Sequence, residues 1–184
     1  MNLLQLIQSD YKKHQKYGGH FFGIVFFTQG FWAVLQYRIA HFIYTNISWQ
    51  PFRAVFLFIA LVYQKAIEII TGISIPASVK IGHSFYIGHF GGIIINANSI
   101  IGDNCNISQG VTIGVSGFGD KRGVPIIGND VYIGANAVIA GKIRIGNQVL
   151  IGACSLVSQS IEDDEVVLGV PAVVISNNGS KGYI

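Results

Sequence analysis

An aliphatic residue recurs every six positions through the C-terminal part of the chain, and this period constrains the fold more than any other feature of the sequence. A second apolar or small residue follows most of these anchors by four places, as Val79 follows Ile75, and glycine often follows the anchor directly. The anchors are Ile75, Ile81, Ile87, Ile95, Ile101, Ile107, Ile113, Ile127, Ile133, Ile139, Ile145, Ile151 and Val157.

A period of six residues predicts short strands joined by corners. Side chains two positions apart in a strand lie on the same face, so Val79 and Ile81 both point inward. The glycine after an anchor, such as Gly82, is expected at the corner, because glycine tolerates the unusual dihedrals that a tight turn demands. Three units then close a triangular coil, and successive coils stack by parallel strand pairing at about 4.8 Å.

Other all-β folds do not fit this spacing. Sandwiches and barrels alternate with a period of two and turn roughly every 8–12 residues, whereas thirteen anchors lie on a six-residue grid here. We therefore predict a mainly β chain in which residues 73–175 form a parallel β-helix and residues 176–184 form a tail. The hand of the β-helix does not follow from the spacing.

Two interruptions break the grid, and in a regular solenoid such insertions usually carry function. The step from Ile87 to Ile95 is eight residues long and contains Gly88-His-Phe-Gly-Gly92. The step from Ile113 to Ile127 is fourteen residues long, and residues 115–125 show no anchor pattern. This second segment predicts a loop that protrudes from the coil.

Residues 1–72 are predicted to form an N-terminal helical region, in which the apolar residues 21–70 predict helices over about 28–45 and 51–71. Its apolar runs are interrupted by charged residues such as Arg53, so none reaches the roughly 18–20 residues that a membrane-spanning helix needs. We expect these helices to pack on each other, on a partner subunit or on a bilayer surface, with peripheral membrane contact through residues 21–70.

The composition limits the classes of protein. Hydrophobic residues make up 51% of the chain and charged residues 11%, which favours a stacked core, a membrane protein or an obligate oligomer. The net charge of +3 is too small to indicate a nucleic-acid partner. Cys105 and Cys154 lie far apart and form no disulfide framework, which is typical of a reduced cytoplasmic protein. Location in the cytoplasm, in association with the inner membrane face if the helices contact lipid, is the expectation.

Two of the five histidines, His83 and His89, fall within the repeat. His89 follows Ile87 by two places, at a corner beside the irregular pair Gly91 and Gly92. A corner side chain points outward, into any cleft formed with an adjacent subunit, which suits a general base that takes a proton from a hydroxyl. A surface histidine on a tight turn is the alternative, and for His83, in a regular unit, it is the favoured interpretation.

Residues 72–172 resemble the serine acetyltransferase branch of the hexapeptide-repeat acyltransferases. Residues 37–42, Tyr-Arg-Ile-Ala-His-Phe, also resemble the sugar-modifying relatives, the colanic-acid and exopolysaccharide acetyltransferases. Such a resemblance implies a left-handed β-helix. The stretches of the repeat that carry it are Gly72–Gly82, Tyr86–Gly92, Ile101–Gly114, Ile133–Ile139 and Gly169–Ala172.

The resemblance also implies a mechanism. The catalytic histidine of the family matches His89, which would deprotonate an acceptor hydroxyl so that it attacks the thioester of acetyl-CoA directly, with no metal required. Serine acetyltransferases hold this histidine with an acidic residue fifteen places earlier, which is Ser74 here. A hydroxyl can accept a hydrogen bond but cannot stabilise an imidazolium by charge. Backbone amides near Gly91 and Gly92 are candidates for stabilising the oxyanion.

Two further departures concern the acceptor. The acidic residue before the catalytic histidine is Gly88 here, and the Arg-His pair of the protruding loop falls at Gly123 and Val124. A zwitterionic amino acid needs countercharges and a sugar hydroxyl does not. We therefore expect a free or lipid-linked sugar of exopolysaccharide or cell-surface polysaccharide biosynthesis as acceptor, contacted by Asp120 and Arg122, with serine O-acetylation as the alternative.

The resemblance implies a homotrimer in which acetyl-CoA lies in the groove between neighbouring subunits. The small residues Ala135, Gly152 and Ala153 would let the pantetheine arm approach the backbone there.

Two other classes of function stay open for this chain. A zinc-dependent carbonic anhydrase on the same fold needs three converging histidines, and the coils contain two. A non-catalytic scaffold with a vestigial site is the other, because Ser74 has replaced the acidic partner.

Overall fold

The structure, a computed structural model, describes every residue from Met1 to Ile184 and consists of four helices followed by a parallel β-helix. The helices are α1 Leu3–Lys16, α2 Phe21–Phe27, α3 Gln29–Asn46 and α4 Phe52–Thr71. The last two match the predicted helices at 28–45 and 51–71, whereas α1 and α2 were missed. The boundaries that the sequence suggests at 72 and 175 stay a prediction.

Fifteen strands form the three faces of a prism. A five-stranded sheet contains β1-β4-β7-β10-β13, a four-stranded sheet contains β2-β5-β8-β11, and a six-stranded sheet contains β3-β6-β9-β12-β14-β15. All pairs are parallel except β14 with β15. The strands are β1 Ile73–Ser74, β2 Lys80–Ile81, β3 Tyr86–Ile87, β4 Ile93–Ile95, β5 Ile100–Ile101, β6 Asn106–Ile107, β7 Thr112–Gly114, β8 Ile126–Ile127, β9 Tyr132–Ile133, β10 Val138–Ala140, β11 Arg144–Ile145, β12 Leu150–Ile151, β13 Leu156–Val157, β14 Val166–Gly169 and β15 Ala172–Ser176.

The six-residue anchors fill the interior of the prism. Each of the thirteen is exposed by 8% or less. The apolar residues four places after them, such as Val79 and Phe85, are buried as well, except Ile143, which is partly buried. The first four coils each contribute one strand to each sheet, so the anchors of successive coils stack directly on one another. In the next coil a single bridge from Ile161 to Ile145 takes the place of a strand in the four-stranded sheet. The inward face predicted from the spacing is therefore confirmed.

The corners correct one expectation. Glycine after an anchor does not supply the left-handed backbone; it is needed because the coils approach closely. A Cβ atom at Gly128 would lie 2.6 Å from the carbonyl oxygen of Gly146, and one at Gly102 would lie 2.5 Å from that of Gly128. The left-handed residues come two places after the glycine, or after Glu162 in the last case. They have φ between 55° and 63° and are Ser84, Asn104, Asp130, Asn136, Gln148, Cys154 and Asp164.

Polar groups of the helices bind the first coil. The hydroxyl of Tyr37 on α3 donates to the carbonyl of Val79 (2.9 Å) and accepts from the amide of Ile81 (3.1 Å). Arg38 forms a buried ion pair with Asp10 of α1 (2.8 Å) and also donates to the carbonyl of Ile81 (2.8 Å). These directional contacts fix α1 and α3 on the open end of the β-helix, where the first coil would otherwise lack a neighbour.

Helix α4 buries only a narrow stripe. Apolar side chains such as Phe58, Ile59 and Ile69 are exposed by more than half. By length and composition α4 is apolar enough to cross a membrane: its most apolar stretch of 18 residues has a mean hydropathy of 1.8, and 17% of that stretch is buried. The charged residues Arg53, Lys65 and Glu68 interrupt the apolar run of α4, so a count of uninterrupted apolar residues does not predict this property. Peripheral membrane contact through residues 21–70 and a cytoplasmic location both stay predictions.

Candidate functional site

His89 lies in the loop that leaves β3 at the edge between the six-stranded and five-stranded sheets. Its side chain is exposed. The loop ends at Gly91 and Gly92, with φ of 98° and 68°, a left-handed backbone that suits glycine. The Gly91 amide donates to the carbonyl of Thr71 (2.8 Å), and the Gly91 carbonyl accepts from the amide of Gly110 (2.9 Å). The corner is thus held between the end of α4 and the next coil.

Ser74, the predicted partner of His89, lies on β1 in register with Ile94 of β4. Its hydroxyl donates a 2.7 Å hydrogen bond to Oε1 of Glu68, a residue near the end of α4. Glu68 also accepts from the side chains of Gln64 (2.8 Å) and Lys65 (2.5 Å). Partial burial alone would raise the pKa of Glu68, but these hydrogen bonds outweigh it, so the pKa lies below its ordinary value.

Glu68 is the functional candidate that sequence reasoning missed. It is the only acidic residue of α4, and it precedes Ser74 by six places. A lone carboxylate in an apolar helix next to the suspected site was the available signal. The six-residue grid did not reveal it, because Glu68 belongs to the helical region and reaches the first coil only through the turn at Gly72.

Two of the residues predicted to contact CoA lie on the same edge as His89. Ala135 follows β9 and Ala153 follows β12, both strands of the six-stranded sheet that also contains β3. The Ala135 carbonyl accepts from the amide of Cys154 (2.8 Å), so these corners stack. At about 4.8 Å per coil, they lie roughly 10 and 14 Å along the prism from the His89 corner.

Gly152 lies at the same corner as Ala153, directly after β12, and packs against the neighbouring strand. A Cβ atom there would lie 2.5 Å from Cδ1 of Leu168 on the adjacent strand β14. Gly152 lines a groove of about 390 Å³ between the six-stranded sheet and the C-terminal tail, with Tyr183 on the opposite side. The small residue at this position therefore also packs against Leu168 within the chain.

Asp120 and Arg122 are exposed in the protruding loop that follows β7. Residues Gly119–Lys121 form a single 3₁₀ turn, and Ser116 pairs with Gly123 at its base. Beneath the loop is a cleft of about 510 Å³, where Lys142 donates to the carbonyl of Asp120 (3.2 Å). The loop leaves the edge between the five-stranded and four-stranded sheets, so one chain does not bring it together with His89.

The geometry offers no metal centre. No group of three or more His, Cys, Asp or Glu side chains is close enough together to hold a metal ion. His83 lies 3.5 Å from a carboxylate oxygen of Asp103, at a different corner from His89. Cys105 is buried and Cys154 exposed, and both are free thiols. The available chemistry is that of the accessible imidazole of His89.

Comparisons with known proteins give a consistent picture. Residues 125–159 match the family model "Bacterial transferase hexapeptide (six repeats)". The serine acetyltransferase of Bacillus subtilis is 32% identical over 161 residues, which are 88% of this chain and 70% of that protein. The enzyme of Staphylococcus aureus is 37% identical over 154 residues, 83% of this chain and 68% of that protein. That of Synechococcus elongatus is 33% identical over 83% of this chain but only 59% of its own length.

Solved structures of serine acetyltransferases superimpose well on this chain. The crystal structure of Neisseria gonorrhoeae serine acetyltransferase superimposes with a TM-score of 0.82 at 29% identity, over 95% of this chain and 65% of that one. A serine acetyltransferase in complex with CoA gives 0.79 at 28% identity, over 94% of this chain and 69% of that one. These matches confirm the left-handed β-helix with an N-terminal helical region.

The predicted sugar acceptor is wrong. Relatives that match across 83–88% of this chain are serine acetyltransferases, and none of these comparisons supports a closer likeness to colanic-acid or exopolysaccharide enzymes. The prediction assumed that charges missing at Ser74, Gly88 and Gly123 were missing from the site. A site built from several elements can take its charges from other positions, and Glu68 and Arg122 are such charges near the altered ones.

Proposed function

Since this chain belongs to the serine acetyltransferase family, we propose that it transfers the acetyl group of acetyl-CoA to the hydroxyl of serine. The chain spans 59–70% of the length of the curated relatives described above, so the activity is inferred for the part that they share. The observation that carries the proposal is the exposed imidazole of His89 on the irregular corner, where an acceptor can reach it from solvent.

In this mechanism His89 is the general base. Its neutral ring takes the proton of the serine hydroxyl while the oxygen attacks the thioester carbonyl of acetyl-CoA. The C–S bond breaks when the tetrahedral adduct collapses, and the CoA thiolate leaves with the proton that the imidazolium returns. The Gly91 amide already donates to Thr71, so we do not assign it to the oxyanion; Gly92 is the better candidate of the two.

We propose that the site is shared between subunits of a homotrimer. His89 and the protruding loop, residues 115–125, lie on different edges of the prism. When three prisms pack around a threefold axis, one edge of each chain meets a different edge of its neighbour. Arg122 of the loop would then supply a cation for the serine carboxylate, and Asp120 an anion for its ammonium group. Ala135 and Ala153 continue the His89 edge, along which CoA would extend.

An acceptor screen tests the function. Release of free CoA thiol is followed with acetyl-CoA and, in turn, L-serine, L-threonine, glucose and N-acetylglucosamine. We expect release with serine, loss of turnover in His89→Ala, and parental turnover in His20→Ala, another exposed histidine. Thermal unfolding of His89→Ala should match the parent, because the side chain is exposed. Turnover with sugars alone, or full activity without His89, would overturn the proposal.

A further inference from the structure

We propose that Glu68 is a positioning residue that acts through Ser74 to orient His89. The inference rests on the proposed function, in which His89 is the base. It also accounts for Ser74 at the place where the family has an acidic residue: the negative charge has moved to the preceding helix and is connected by a hydroxyl.

The end of α4 and the His89 loop form one packed unit. Thr71 accepts from the Gly91 amide at 2.8 Å, and a Cβ atom at Gly72 would lie 3.1 Å from the Cα atom of Gly91. Glu68 lies one helical turn before Thr71, and Ser74 is the second residue of β1, two places after Gly72. The backbone contacts therefore place the Glu68–Ser74 pair and the His89 loop at the same corner of the prism.

The Ser74 hydroxyl can link the two groups because it has one proton and two lone pairs. Its proton is committed to Oε1 of Glu68, which leaves its lone pairs to accept an N–H from an imidazole. Hydrogen bonds in such a chain polarise one another, so the carboxylate strengthens the oxygen as an acceptor. Gln64 and Lys65 bind the same carboxylate and hold it in place.

No other acidic side chain of the chain is available at this corner. Asp10 is paired with Arg38, and Asp103 lies beside His83. The remaining acidic residues lie in the protruding loop or in later coils. The stacked corner segments 71–74, 88–93 and 108–110 contain no ionisable side chain except His89. The charged groups that α4 adds near these segments are Glu68, bonded to Ser74, and its ion-pair partner Lys65.

The decisive measurement is the titration of His89, followed by NMR on full-length protein with labelled histidine and assigned by comparison with His89→Ala. Glu68→Gln removes the charge and keeps the shape. We expect the pKa of His89 to be lower in Glu68→Gln than in the parent, because a nearby negative charge stabilises the imidazolium. Glu162→Gln, the same change at an exposed position far from the corner, should leave the titration unaltered.

Kinetics with serine add a second readout. In Glu68→Gln we expect kcat to fall about tenfold or more, and the acidic limb of kcat/KM to move to lower pH. Ser74→Ala should show the same shift, and combining it with Glu68→Gln should add little, since both interrupt one chain of hydrogen bonds. Ser74→Asp in the Glu68→Gln protein should restore both the activity and the pH position of the acidic limb of kcat/KM.

The outcomes separate the two proposals. An unchanged His89 titration in Glu68→Gln, or additive losses in the double variant, would overturn the role of Glu68 whatever the activity. If kcat falls but neither the His89 titration nor the acidic limb of kcat/KM moves, Glu68 merely supports the fold. Full turnover in His89→Ala would instead overturn the proposed function, and the titration would still report on Glu68.

Discussion

The carbonyl of Thr71, the last residue of α4, accepts a 2.8 Å hydrogen bond from the amide of Gly91, two residues beyond His89. This bond joins the helical region to the irregular corner of the β-helix. The helices are therefore part of the site, since the orientation of the His89 loop depends on where α4 ends.

Gly72 gives a direct test of that coupling. It has a φ of 67°, and a Cβ atom would lie 3.1 Å from Gly91 Cα. Gly72→Ala should cost about 1 kcal/mol for the left-handed backbone and should also displace the His89 loop. We expect a loss of kcat larger than the loss of folded protein, measured by thiol release and urea unfolding.

Gly18→Ala is the matched control. Gly18 has a φ of 86°, but nothing lies within 4 Å of its Cβ position. It should lose similar stability and retain the kcat of the parent. Equal effects of the two substitutions on kcat would contradict the coupling.

The close stacking of the coils leads to a second prediction, about the stability of glycine-to-alanine variants. Alanine at Gly128 would place Cβ 2.6 Å from the Gly146 carbonyl oxygen, a contact with backbone that cannot move alone. Gly128→Ala should lower the free energy of unfolding by about 1–3 kcal/mol, the usual cost of overpacking. At Gly114 the nearest atom would be 3.6 Å away, so Gly114→Ala should be nearly neutral in the same urea titration. Comparable losses in both variants would count against close stacking as the reason for glycine.

The β-helix was readable from the sequence because its physical cause is periodic. An anchor such as Ile133 must point inward in every coil, so the grid is visible without any tertiary information. Helix α1 was missed although Asn2 and Gln5 form a capping box, a signal present in the sequence. Its polar composition and short apolar stripe gave no comparable pattern.

Only part of the candidate site could be predicted from the sequence. His89 stood out because an insertion interrupts the grid there. Glu68 did not, because its approach to Ser74 depends on how α4 turns at Gly72, which no spacing rule specifies. The acceptor was mispredicted for the same reason: the charge at one position was judged without the charges that the fold brings beside it.

The buried amine of Lys13 leads to a prediction about how the free energy of unfolding depends on pH. Burial of this α1 residue, with a smaller contribution from Lys16, lowers its pKa from 10.5 to about 8. Between pH 8 and 10.5 the unfolded chain therefore binds more protons at Lys13 than the folded chain does, so this residue's contribution to stability rises with pH across that window. Burial also raises the pKa of Cys105 to about 12, which has the opposite effect above pH 9.

A difference measurement isolates the lysine. The free energy of unfolding of the parent minus that of Lys13→Met should increase from pH 8 to pH 10.5, since Cys105 is present in both proteins. A difference that stays flat, or falls with pH, would show that the Lys13 amine is solvated in the folded protein. Lys12→Met, at an exposed position on the same helix, should give a flat difference.

Mixing inactive variants tests whether the site is shared between subunits. In a trimer of the proposed kind, each site takes His89 from one chain and Arg122 from the next. His89→Ala and Arg122→Ala, each impaired alone, should regain activity when coexpressed, and random assembly restores up to about a quarter of the sites. His89→Ala with Ser74→Ala is the control, since both residues lie on one edge and no mixed site recovers both. Absence of recovery in the first pair, with mixed trimers verified by mass spectrometry, would place His89 and Arg122 in separate functions.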